Sequence, residues 1–166
     1  MAKRLTKDAL LFAVALILHV VEAQIPSFIP VPGVKLGLAN IVTVWAMFRT
    51  GPKDTLAVMI LRVLLGSLFG GQIISFVMSL SGAVSCYILM LLIYRFFSVK
   101  QIWVVSVLGA LAHNAGQILA AVLLFQTMSV AVYLPFLVLS GILTGLFTGL
   151  TAQLLDRYLP RKSKEE

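Results

Sequence analysis

The sequence predicts an all-α, polytopic membrane protein of six transmembrane helices with both termini cytoplasmic, and three observations predict it. Of 166 residues, 60% are hydrophobic and only 11% charged, where an ordinary soluble domain carries roughly a quarter charged. Apolar stretches near or above ~18 residues recur along the chain, which is more apolar surface than a soluble fold of this length can hide. The basic residues fall between those stretches, and predominantly on one side. The same composition excludes a disordered chain, and it makes nucleic acid a poor partner despite a net charge of +7.

Charge, proline and glycine divide the chain into apolar segments at residues 7–25, 34–48, 54–69, 73–97, 101–125 and 129–155, so that 1–166 reads as one transmembrane domain with no soluble domain or linker. The first segment follows a basic start and superficially resembles a signal peptide. Glu22-Ala23-Gln24-Ile25-Pro26 makes a poor cleavage sequence, however, and more apolar segments follow, so it reads as a retained helix. The second and third are short, since about 15 helical residues rise only ~23 Å against a hydrocarbon core of ~30 Å. Charge then decides the parity. With six spans, Lys3, Arg4, Lys7, Arg49, Lys53, Arg95, Lys100, Arg157, Arg161, Lys162 and Lys164 share one side, which is eleven of the thirteen basic residues. Lys35 alone reaches the other side, and Arg62 falls inside the third segment. That is the positive-inside distribution, and losing the second span would move Arg49 and Lys53 outside and spoil it. The net charge is thus mainly a topology signal, and the closing PRKSKEE reads as a solvated tail.

Polar side chains are costly in hydrocarbon and usually face the bundle interior, where they mark pathways or sites. Helix one carries His19 and Glu22 in its outer third, three residues apart on neighbouring faces. Helix two has Lys35 at its outer mouth and Asn40 about one and a half turns deeper. Helix five has His113, Asn114 and Gln117 in its outer half, with His113 and Gln117 four apart on one face. These seven are expected to converge on an external-facing pocket, with Arg62 deeper. Plainer roles compete at each position. Asn114 and Gln117 suit interhelical hydrogen bonds, Glu22 suits a salt bridge to Lys35 or Arg62, and the histidines suit packing better than metal ligation. Arg62 resists a bland account, because its guanidinium keeps its proton and needs an anion, water or several carbonyls. Glu22 is the single acid plausibly near the membrane interior, so the cations exceed their partners. The excess implies an anionic or strongly hydrogen-bonding ligand.

Two further patterns concern packing and cover. Ala9 and Ala13 form an AxxxA on helix one, and Gly141, Gly145 and Gly149 form a GxxxGxxxG on helix six; such stripes let backbones approach closely. Internal packing suits the glycine ladder, while internal and intersubunit packing suit the alanine pair equally. Between helices one and two, Pro26, Pro30 and Pro32 stiffen an apolar outer loop that either connects or covers a cavity.

Chemistry is chiefly notable for what is missing. The six acids are Asp8, Glu22, Asp54, Asp156, Glu165 and Glu166, and they assemble no carboxylate cluster able to hold magnesium for diphosphate chemistry. The sequence has no phosphate loop, HExxH, GxSxG or metal-ligand spacing around the lone Cys86. Neither a catalytic residue, a metal nor a cofactor is expected.

The run Pro30-Val31-Pro32-Gly33-Val34-Lys35-Leu36-Gly37-Leu38-Ala39-Asn40-Ile41-Val42-Thr43, together with Ala112-His113-Asn114-Ala115-Gly116-Gln117, resembles the signature of the Gx transporter family, often labelled heptaprenyl diphosphate synthase component I. That family in turn resembles the substrate-binding S-components of energy-coupling factor (ECF) transporters. The resemblance implies a six-helix subunit that takes a vitamin-like or isoprenoid or quinone-precursor ligand from outside, with the first external loop closing over it. It also implies partners, a transmembrane T-component and two cytoplasmic ATPases. Ala9 and Ala13 would meet the T-component, Phe28, Pro30, Pro32 and Gly33 would form the gate, and Glu22, Lys35, Asn40, Arg62, His113, Asn114 and Gln117 would hold the ligand. The competing expectation is a non-catalytic membrane accessory subunit of a polyprenyl diphosphate synthase or redox complex, in which the same polar residues are structural.

Overall fold

A computed structural model of the chain describes residues 2–24, 37–70 and 73–159. They form six α-helices: α1 (Ala2–Gln24), α2 (Leu38–Arg49), α3 (Pro52–Gly70), α4 (Ile73–Ile93), α5 (Ile102–Phe125) and α6 (Leu134–Tyr158). Single 3₁₀ segments lie at Tyr94–Phe96, Val99–Gln101 and Met128–Tyr133, and there is no strand among the described residues. Three helical stretches, Ile73–Phe96, Val99–Phe125 and Met128–Tyr158, are long and apolar enough to cross a membrane. They mark the chain as a membrane protein. Ala9–Glu22 and Leu38–Arg49 are shorter apolar helices.

Local chemistry explains where the helix ends depart from the expected segments. The second helix starts at Leu38 rather than at residue 34, because Gly37 adopts a left-handed φ of 75° that a regular helix does not contain. Gly51, at φ 96°, makes the tight turn into α3, and Pro52 occupies the first helical position, where its missing amide is not needed. The fourth helix stops at Ile93, short of residue 97, and a Ser98–Gln101 capping box starts the next. The sixth begins at Leu134, five residues later than expected, with a proline in its first turn, and residues 128–133 instead make a 3₁₀ segment.

Close approach of α4, α5 and α6 is set by glycine. A Cβ on Gly145 would lie 2.6 Å from Val107 Cα, one on Gly149 2.5 Å from Trp103 Cα, and one on Gly116 2.7 Å from Ser81 O. The ladder on α6 is therefore an internal contact with α5. Buried hydroxyls follow the same seams, with Ser106 and Thr148 2.8 Å apart and Ser81 donating to Gly116 O at 2.8 Å. On the other side, Ala15 of α1, Val42 of α2 and Val58 of α3 form a small core. Between the two groups runs α2, which packs against α1, α3, α5 and α6. Its buried residues include Ala39 and the run from Ile41 to Met47, so it is apolar around its circumference, as a central helix must be.

Charge closes one end of this core. Arg49, the last residue of α2, donates through Nε to Asp156 Oδ1 of α6 and through a terminal nitrogen to the Asp156 and Leu159 carbonyls, both at 3.0 Å. Its guanidinium also lies 5.9 Å from the Trp45 ring centroid. One side chain thus ties α2 to α6 and takes carbonyls that the end of α6 leaves open. Arg49→Met is expected to destabilise the protein by about 2 kcal/mol, because the bonded carboxylate of Asp156 is then left buried without its cation. Thermal unfolding in detergent checks this, and Arg49→Met with Asp156→Asn should cost less than the two single changes added together.

Candidate functional site

Glu22 stands in the last turn of α1, and its Oε1 accepts the backbone amide of Gly37 at the start of α2. One turn on, the Asn40 amide donates to Gly37 O at 2.8 Å. The Asn40 side-chain oxygen accepts Arg62 Nη1 from α3 at 3.1 Å. A connected path of guanidinium, carboxamide, backbone and carboxylate therefore joins α3, α2 and α1 inside an apolar bundle. Arg62 is 6% exposed and Glu22 8%. Glu22 is the carboxylate within electrostatic reach of Arg62, and the Cys86 thiol lies within reach on the α4 side. Arg62 Nε has no hydrogen-bond partner among the described residues. Such a donor costs free energy in an apolar interior unless something accepts from it.

His19 borders this group. Its ring fills the notch at Gly66 of α3, where a Cβ would come within 2.5 Å of ring atoms. Since Gly66 is four residues from Arg62, the imidazole and the guanidinium share one stripe of α3.

The α5 residues divide between two neighbours. His113 and Gln117 share a face, as their spacing predicts, and both lie over Gly82 of α4, where a Cβ would be 2.8 Å and 2.9 Å from them. Gln117 is buried, and its Oε1 lacks a partner among the described residues. Asn114 faces α6 instead, donating to Leu137 O at 2.6 Å beside Gly141. Its amide does the interhelical bonding that was one of its two expected roles.

Of the residues expected to form a site, Glu22, Asn40 and Arg62 are thus brought together, His113 and Gln117 are set against α4, and Asn114 is directed to α6. Lys35 and the gate residues Phe28, Pro30, Pro32 and Gly33 lie outside the described residues. Ala9 and Ala13 are both exposed, on a face of α1 that also shows Leu10 at 65% and Ile17 at 61%; Ala15 on the opposite face is fully buried. Gly37 was not singled out as a functional position. Its signal was the glycine immediately before an apolar run carrying Asn40.

An all-helical bundle with a buried cationic and carboxamide group belongs to the class of membrane proteins with a polar interior. The model of one family, described as heptaprenyl diphosphate synthase component I, matches residues 11–155, and the chain belongs to that family. No curated protein and no solved structure matches it.

Proposed function

We propose that this chain is the substrate-binding membrane subunit of an ECF-type importer, spanning the membrane six times with both termini in the cytoplasm. It takes a small anionic or strongly hydrogen-bonding ligand, vitamin-like or an isoprenoid or quinone precursor, from the outer side. The observation that carries this reading is Arg62, held on Asn40 in an apolar interior with an Nε that has no partner among the described residues. Unlike Arg49, which has a bonded carboxylate, this guanidinium keeps its proton with a donor to spare, which suits it to gripping a ligand. Asn40 orients it and Glu22 stands within electrostatic reach, while Gln117 and His113 from α5 supply further polar contacts. The exposed alanines of α1 offer a flat surface to a T-component, and two cytoplasmic ATPases supply the energy that this chain has no phosphate loop to provide.

The family description favours a second reading. A component I of a heptaprenyl diphosphate synthase would be a non-catalytic membrane subunit beside a catalytic partner, and the scattered acids of this sequence suit the non-catalytic role. Native mass spectrometry of the gently purified protein separates the two. The importer reading expects a bound metabolite and copurifying T-component and ATPases. It fails if a broad metabolite panel gives no thermal stabilisation and a prenyl synthase copurifies instead.

A further inference from the structure

The first turn of α2 brings together two features that call for an anion and one that supplies it. The first amides of a helix lack the partners its interior amides have; Gly37 O accepts that of Asn40, but a glycine N-cap has no side chain to receive the others, so this end of a twelve-residue helix favours negative charge. Arg62, nine-tenths buried, is aimed at the same turn through Asn40 and keeps Nε unpartnered among the described residues. Glu22, from fifteen positions earlier in the chain, places its carboxylate on the Gly37 amide. The Gly37 amide at the start of α2 thus holds the chain's own carboxylate, with the Arg62 guanidinium within electrostatic reach of it.

We propose that Glu22 stands in for the anionic group of the ligand, and that a carboxylate or phosphate group binds at the first turn of α2 against Arg62 by displacing Glu22 from the Gly37 amide. This rests on the ligand-binding reading above and gives that ligand a compact anionic head. Two negative groups close together in a low-dielectric interior repel each other, so Glu22 and the ligand occupy the Gly37 amide in turn. Binding then also opens the bond that ties the end of α1 to the start of α2, which turns occupancy of the site into a change at a helix junction.

The test uses the full chain in nanodiscs, with inorganic phosphate and acetate as probes against chloride at constant pH and ionic strength, read by thermal shift. Glu22→Gln keeps an acceptor for the Gly37 amide without the charge, and Glu22→Ala vacates the position. Half-saturating phosphate is expected to fall on the order of tenfold in both variants relative to wild type. Acetate should restore the melting temperature of Glu22→Ala, and Glu22→Gln with Arg62→Gln should lose both responses. Equal responses in wild type and Glu22→Gln, responses that survive without Arg62, or no response in Glu22→Gln would each overturn the proposal. A metabolite that binds wild type and binds Glu22→Gln more weakly makes Glu22 a ligand contact; that overturns displacement and leaves the importer reading standing. Conversely, the expected phosphate and acetate pattern with no metabolite bound supports the anion position while removing the importer reading.

Discussion

Arg62→Ala is expected to abolish ligand binding, leaving neither a bound metabolite by native mass spectrometry nor ligand-dependent stabilisation. The guanidinium contributes the site's fixed positive charge and several donors in a rigid fork. A ligand oxygen that loses such a partner in a buried site loses at least about 3 kcal/mol, or more than a hundredfold in affinity. The same substitution strips Glu22 of the cation within its reach and Asn40 of its donor, so the protein also destabilises by about 3 kcal/mol. The two losses are separable. Glu22→Gln combined with Arg62→Met removes both charges and should recover most of the stability, because no buried carboxylate is left without its cation, while binding stays absent. Arg62→Lys should retain the fold and bind weakly, since an ammonium keeps the charge but not the fork. An Arg62→Ala protein that binds with unchanged affinity would assign the residue to structure alone, with the α1, α2 and α3 junction as its whole role.

The helices were legible because an apolar chain announces its segments, and turn chemistry marks most of the ends. Gly51-Pro52 and Ser98 with Gln101 set boundaries where expected to within a few residues. The ends that moved did so for backbone reasons. At the second helix Val34 and Leu36 extend the apolar segment on either side of Lys35, whereas Gly37 turns left-handed, and hydrophobicity carries no information about φ. Before the sixth, residues 128–133 are apolar enough to pass for helix and wind as 3₁₀ instead. The grouping of buried polar residues was legible in part. Glu22, Asn40 and Arg62 stand out as polar positions in apolar helices, and the structure joins them, because burial forces such groups onto one another. Asn114 follows the same rule and finds a carbonyl on α6. What the sequence could not display is pairing across distance. Arg49 and Asp156 are 107 positions apart, and each reads alone as a surface charge. The notches at Gly66 and Gly82 that receive His19 and His113 exist only once two helices face each other.

Glycine on α6 offers the sharpest stability test, because there the direction of the effect, and not only its size, separates two accounts. In a helix exposed to lipid or to a loosely packed neighbour, Gly→Ala stabilises by about 1 kcal/mol, since alanine loses less backbone freedom on folding. Gly149→Ala is expected to do the opposite and destabilise by about 2 kcal/mol, with Gly149→Val worse. The added Cβ would lie 2.5 Å from Trp103 Cα and 2.7 Å from Ser106 Cβ. A main-chain carbon cannot rotate out of the way, so α5 and α6 must separate. Separation also stretches the buried bond between Ser106 and Thr148, one residue before the glycine, and takes from the Ser106 hydroxyl its partner across an apolar seam, while Thr148 keeps its bond to Gly145 O. Leu150→Ala, on the exposed face one residue along, should change stability far less and serves as the control. Thermal unfolding of the detergent-solubilised variants reads the sign directly. A Gly149→Ala protein that is as stable as wild type or more so would mean that α5 and α6 are not in backbone contact, and the ladder would then be free to serve a partner helix.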